Sequence, residues 1–227
     1  MQELNQINGR LKDGLLFCKK AYEIFNIIRN SDGGIERLRL RKNDVEKKLV
    51  EEVLPIARYI QMKYNYSKNI KVKWVYGSQP YDAYIQLSGP EVLNSSIPKK
   101  QYLEVTTAVH NNDHLAREFA NKFGYVFGIN GVKINKDTKK IESTPHVQQF
   151  QKALDDFIDI IIARIKDKSN KIYPNNTTLV IQCMLSPLFV RSEWDYIVKK
   201  VREAGIMHKF REIVLFDLNN MLLPTIL

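Results

Sequence analysis

The sequence predicts an α/β fold, a mixed central sheet flanked by helices, with an N-terminal helical and basic extension and a basic hairpin insertion. Three observations predict it. Tyr81-Asp82-Ala83-Tyr84-Ile85 and Tyr102-Leu103-Glu104-Val105-Thr106-Thr107 are rich in aromatic and β-branched residues and bounded by Gly, Pro or Ser, which reads as two strands. Val45, Leu49, Val53, Ile56 and Ile60 recur at helical spacing. The run from Thr178 to Met184 is nearly all apolar, as in a strand buried on both faces.

The elements follow in order. Residues 3–30 read as helix, with Leu15, Phe17, Ile24, Phe25 and Ile28 among charged residues, and Gly9 and Gly14 weaken its first turns. Ser31-Asp32-Gly33-Gly34 breaks the chain. In the following Ile35–Arg41, Arg37, Arg39 and Arg41 alternate with Leu38 and Leu40. Extended, that segment presents three guanidinium groups on one side as a phosphate-contacting stripe; otherwise it is a solvated edge or a helix start. A helix spans 43–65, capped by Asn43 or Asp44. Glu52 falls in its apolar stripe, whereas Glu51 points away from it.

Val72, Trp74 and Tyr76 alternate with Lys71 and Lys73 in the first strand of the core, and Gly77-Ser78-Gln79-Pro80 turns into the Asp82 strand. Asn94–Pro98 is loop, and the Glu104 strand completes an antiparallel meander. Asn111, Asn112 or Asp113 caps the next helix, whose apolar face is Leu115, Phe119 and Phe123 and whose end is Gly124. His110 and His114 are four apart, a spacing that suits a metal if both are helical, but they straddle the helix start and read as solvated. Residues 128–144 form a basic hairpin in which Lys133, Lys136, Lys139 and Lys140 either grip a phosphate backbone or are simply solvated. Thr144-Pro145 opens a long helix to about Lys168. The Thr178 strand, an amphipathic helix from Ser192 to Ala204 and a last strand from Glu212 to Leu218 close the chain.

Charge and composition narrow the function. With 35 Lys and Arg against 25 Asp and Glu, the formal charge of +10 favours a polyanionic partner. Cys18 and Cys183 have no CxxC context, so neither a zinc site nor a disulfide framework is expected, and a reducing cytosol fits. No stretch is apolar enough to span a bilayer, and no signal-peptide apolar region is visible. The expectation is a cytoplasmic protein with no membrane partner.

The chemistry centres on Asp82 and Glu104. A carboxylate inside a strand with an apolar opposite face is costly unless paired or bound to metal. Two such acids on neighbouring strands can converge on one divalent cation, and Mg²⁺ takes one or two carboxylates while keeping waters for a phosphate substrate.

At Pro80-Tyr81-Asp82 and Glu104-Val105-Thr106 the chain resembles the PD-(D/E)XK nuclease superfamily, with Thr106 standing where the motif has lysine. The order of elements from about 43 to 218 carries the same resemblance, as does the basic helix end Ala163–Lys168 before the Thr178 strand. The resemblance implies a restriction-endonuclease-like core over 43–227, with residues 1–42 as the extension. It implies Mg²⁺ or Mn²⁺ held by Asp82, Glu104 and the Val105 carbonyl, completed by Glu52. The alternative for Glu52 is a rim position paired with a nearby lysine. Thr106 donates a hydrogen bond but carries no charge. Members of the resembled family sometimes recruit the cation from elsewhere, for which Lys122, Lys71 and Lys73 are candidates, each with a purely structural role as the alternative.

The expected function is therefore Mg-dependent hydrolysis of DNA phosphodiester bonds, with DNA ahead of RNA as partner and a homodimer left open. Prokaryotic or phage DNA defence or processing is the expected setting. The alternative is a degenerate nuclease-like protein that binds nucleic acid or a protein partner without cleavage.

Overall fold

The computed structural model describes residues 3–64, 69–89, 92, 97–184, 190–217 and the backbone of 225–226. In chain order its main elements are β1 (Lys12–Asp13), α1 (Gly14–Arg29), α2 (Gly34–Leu40), α3 (Asp44–Lys48), a π-helical turn (Leu49–Val53), α4 (Leu54–Lys63), β2 (Ile70–Trp74), β3 (Ala83–Leu87) and β4 (Lys100–Ala108). Then come α5 (Asp113–Phe123), β5 (Val132–Ile134), β6 (Ile141–Ser143), α6 (Phe150–Ser169), β7 (Thr177–Cys183), α7 (Arg191–Glu203), β8 (Glu212–Asp217) and β9 (Thr225–Ile226).

The alternation of Ile70, Val72 and Trp74 against two lysines makes β2 a half-buried strand, and it pairs antiparallel with β3, which pairs antiparallel with β4. The meander is as the sequence predicts. β4 then pairs parallel with β7, and β7 parallel with β8, so the sheet is mixed, in the order β1-β2-β3-β4-β7-β8-β9. Every residue of β7 is buried, which explains its continuous apolar pattern. Side-chain alternation sends Leu103, Val105 and Val180 to one face, where they meet Phe17, Ile24, Ile56 and Ile60 from α1 and α4. Ala108, Leu179 and Ile181 go to the other, against Leu154, Ile161 and Ile165 of α6 and Trp194 of α7. Each such aliphatic side chain contributes about 1.5–3 kcal/mol on burial, and this fixes the sheet between its helices. Cys18 and Cys183 are buried free thiols.

Two expectations are corrected, both on where a helix begins. The first helix begins at Gly14 rather than residue 3, because Gly9 turns the chain at a φ of 64° and Asp13 caps the helix, accepting from the Leu15 and Leu16 N–H groups at 2.9 and 3.2 Å. Of the two forms open to the Arg37–Arg41 segment the structure has the helical one, α2, ended by Arg41 in the left-handed conformation at φ 53°. The helix expected over 43–65 runs without a break from Asp44 to Lys63 and contains the π-helical turn. The long helix starts at Phe150, with residues 144–149 outside it. The hairpin exists as expected, β5 pairing antiparallel with β6. Of the expected loop and last strand, residues 94–96 and Leu218 lie outside the described residues. No described helix is long and apolar enough to cross a membrane.

Candidate active site

A fork in the sheet creates the site. Pairing of β3 with β4 stops at Ala83↔Leu103, whereas pairing of β4 with β7 continues to Ala108↔Cys183. Beyond Leu103 the outer edge of β4 is therefore released by β3. Asp82 stands at that fork. Its N–H donates to the Leu103 carbonyl at 2.8 Å, and its Oδ2 accepts from the Val105 N–H at 2.8 Å. Asp82 is one step before Ala83 and Glu104 one step past Leu103, so the two acids face each other on one side of the sheet.

Glu104 is 7% exposed. Its Oε1 lies 2.5 Å from Nζ of Lys168, on the last turn of α6. Tyr173, just past α6, is also close; burial first, then the Glu104 charge, pushes its phenol above the ordinary range. From the other direction Glu52 approaches on the π-helical turn. Its Oε1 pairs with Lys48 and its Oε2 accepts from Trp74 Nε1 at 3.2 Å. Burial, then the charges of Glu52 and Glu104, push the Asp82 carboxyl up to about 7, against the opposing pull of the Val105 N–H and Lys168. Glu52 is thus paired with a lysine, as one of the two readings has it, and its charge is felt at Asp82.

Beside the acids is a cavity of about 230 Å³ whose wall includes Glu51, Glu52, Val105, Thr106, Thr107 and three arginines, Arg41, Arg117 and Arg164. Asp82 and Glu104 are not on that wall; they adjoin it through Glu52, Val105 and Thr106. Arg41 has a side chain only 11% exposed, lies 3.5 Å from Glu51, and keeps a buried Nε without a hydrogen-bond partner. Burial, then repulsion from Arg117, lowers its pKa. Arg117 Nε is 2.8 Å from Asp113 Oδ2. Arg164 sits one helical turn before Lys168 on the same face of α6, as Thr106 sits two residues beyond Glu104 on the same face of β4. A wider cavity of about 450 Å³ shares the three arginines and adds Lys42, Lys47, His110 and His114.

The structure brings Asp82, Glu104, Thr106, Glu52 and Val105 together and leaves other candidates elsewhere. Lys122 is exposed, its Nζ 5.2 Å from the Phe123 ring centroid, and it does not reach the acids. Lys71 and Lys73 lie on β2, two strands from β4. Arg37 is an ion-pair partner of the fully buried Glu46 at 2.5 Å, and Arg39 donates to Asn121 Oδ1 at 3.2 Å, so the three arginines do not form a stripe. Only Arg41 enters the cavity. Lys133 and Lys136 are exposed on the hairpin. Glu51, expected to point away, also lines the cavity, because the wider π turn brings residues 51 and 52 round together. His110 and His114 are engaged locally: His110 Nδ1 accepts from the Asn112 N–H at 3.0 Å, and His114 Nδ1 is 3.0 Å from the Asn111 carbonyl oxygen.

Lys168, Arg117 and Arg164 are the site residues the sequence did not single out. The four-residue spacing of Arg164 and Lys168 in the basic end of α6 was the available signal.

Among the described residues, no group of three or more His, Cys, Asp or Glu side chains is gathered closely enough to hold a metal ion. Besides its burial, Asp82 feels the charges of Glu52 and Glu104. Comparison with family models, with curated proteins and with solved structures found no match.

Proposed function

We propose that the chain is a metal-dependent nuclease with a restriction-endonuclease-like core, hydrolysing phosphodiester bonds of DNA. The observation that carries this reading is the contact between Lys168 and Glu104 opposite Asp82. The cation absent at Thr106 is supplied from α6, at the carboxylate where the strand motif would have placed it.

The donor set fits a hard divalent ion. Two facing carboxylates and a backbone carbonyl leave room for the waters that Mg²⁺ retains. Asp82 and Glu104 would hold Mg²⁺ or Mn²⁺, with the Val105 carbonyl as a further oxygen. The bound ion supplies Lewis acidity toward a phosphoryl oxygen and lowers the pKa of a water. The chain's own residues do the rest. Lys168 orients a water near Glu104 and offsets negative charge developing on the phosphate. Thr106 donates a hydrogen bond beside it. Arg41, Arg117 and Arg164 face the backbone phosphate from the adjoining cavity, where planar guanidinium groups bind phosphate bidentately.

A second reading has its own support. Lys168–Glu104 and Lys48–Glu52 are already satisfied ion pairs, so the chain can fold with no metal and bind nucleic acid without cutting it. Metal-dependent cleavage separates the two. The nuclease reading requires cleavage of labelled DNA in Mg²⁺ or Mn²⁺ by the wild type and its loss in Glu104→Gln; the binding reading requires neither.

A further inference from the structure

Far from the acids, at the other end of α5, four aromatic rings run in sequence. Phe119 and Phe123 have centroids 4.5 Å apart, Phe119 and Tyr125 are edge-to-face at 5.7 Å, and Tyr125 and Phe127 follow at 5.1 Å. Phe119 is buried and anchors the row. Phe123, Tyr125 and Phe127 are 48%, 51% and 52% exposed. Gly124, at φ 81°, reverses the chain after the helix and returns Tyr125 to the edge of Phe119. The Phe127 N–H donates to Ser143 Oγ at 3.0 Å, which pins the last ring to β6.

Three rings, each about half open to solvent and joined through the buried Phe119, are not an ordinary surface. Isolated exposed apolar residues need no explanation, but a contiguous patch marks a binding site. The surrounding charge selects the occupant. Lys122 Nζ lies over the Phe123 ring, and the adjoining hairpin exposes Lys133, Lys136, Lys139 and Lys140. Its acids are Asp137, in the turn, and Glu142, which accepts from Asn135 Nδ2 at 2.6 Å. A second copy of the chain docking here about a two-fold axis would bring two lysine-rich hairpins together. A polyanion would not be repelled.

We propose that Phe123, Tyr125 and Phe127 form a stacking platform for single-stranded nucleic acid, with the hairpin lysines holding its backbone. Unpaired bases stack on aromatic faces whatever their identity, and flanking cations follow the phosphates. Duplex bases are already stacked on each other and cannot occupy the rings. The platform deepens the nuclease reading by naming single strands as the substrate class, and it rests on that reading only in taking nucleic acid as the partner.

The test is fluorescence anisotropy in EDTA, where no cleavage occurs. The probe is a fluorescein-labelled oligothymidylate of about 15 nucleotides, compared with a mixed-sequence duplex of equal length. The wild type binds the single strand at least ~10-fold more tightly than the duplex. Phe123→Ala/Tyr125→Ala/Phe127→Ala loses at least ~10-fold of single-strand affinity and keeps its duplex affinity. The same three positions changed to Leu retain apolar volume and lose single-strand affinity too, which covers the case in which the alanine variant does not fold. Equal wild-type affinity for the two probes, or a folded variant that binds the single strand like wild type, overturns the platform. So does a wild-type dimer by light scattering that the leucine variant converts to monomer. Failure here leaves metal-dependent cleavage and its loss in Glu104→Gln untouched, and a cleavage failure leaves the EDTA binding result untouched.

Discussion

Lys168 Nζ and Glu104 Oε1 are 2.5 Å apart, with both side chains largely buried, at 18% and 10% exposed. The pair joins the last turn of α6 to the middle of β4. It neutralises one of two facing acids and leaves Asp82 with the repulsion of its neighbours.

The pair makes a first prediction about catalysis. Lys168→Ala lowers cleavage by about 10²–10³-fold, the usual cost of losing one preformed donor to developing charge. Thr106→Lys alone adds little, because the cation is already present. Combined with Lys168→Ala, it restores part of the activity, since Thr106 and Glu104 share a face of β4. Gel-based cleavage rates of the three variants check this, and a double variant as inactive as the single one contradicts it.

Arg37 gives a prediction about stability rather than binding. Its partner Glu46 is 0% exposed, and among the described residues the Arg37 guanidinium is the cation paired with it. Arg37→Ala leaves a buried acid unpaired and destabilises the fold by about 3–5 kcal/mol. Urea denaturation measures this. The salt dependence of DNA binding, read on the folded variant, stays as in wild type, because the Arg37 guanidinium is engaged by Glu46.

The meander and the Asp82–Glu104 pair are legible from local alternation, with Leu103 and Val105 on one side and Glu104 and Thr106 on the other, and β7 is legible from a nearly continuous apolar run buried on both faces. Lys168 was not, because it meets Glu104 across 64 residues of sequence, and no periodicity encodes which helix end reaches which strand. Arg37, Arg39 and Arg41 alternate with leucines over a span too short to separate a strand from one turn of helix. The structure forms helix α2 there, entered at Gly33 with φ 62°. Glu51 was misassigned because a regular 3.6-residue helix sends it away from Glu52, and the π turn does not keep that period. Lys122 is instead exposed at the last turn of α5, beside the Phe123 ring.

Asp82 carries a pH prediction. Its folded pKa, about 7, lies above the ordinary carboxylate value of 3.8. A raised pKa means that the folded state binds the proton more tightly than the unfolded chain. The stabilisation is complete below about pH 4 and is lost as pH rises through about 7. In EDTA, the urea midpoint contributed by this group falls between pH 5 and pH 8. Asp82→Asn removes that fall, since its amide oxygen still accepts from the Val105 N–H. Mn²⁺ competes with the same proton, so it raises the wild-type midpoint more at pH 8 than at pH 5. A Mn²⁺ effect of equal size at both values removes Asp82 from the ion's ligands.

The most direct measurement is cleavage of end-labelled single-stranded and duplex DNA across Mg²⁺ and Mn²⁺ titrations, with wild type and Glu104→Gln side by side. Gln keeps the shape of Glu104 and loses the charge that holds a cation. The account predicts metal-dependent product from wild type, none in EDTA, and none from Glu104→Gln, with the variant still folded by circular dichroism. Wild type that cuts neither substrate at any metal concentration, or Glu104→Gln that cuts as fast as wild type, contradicts it.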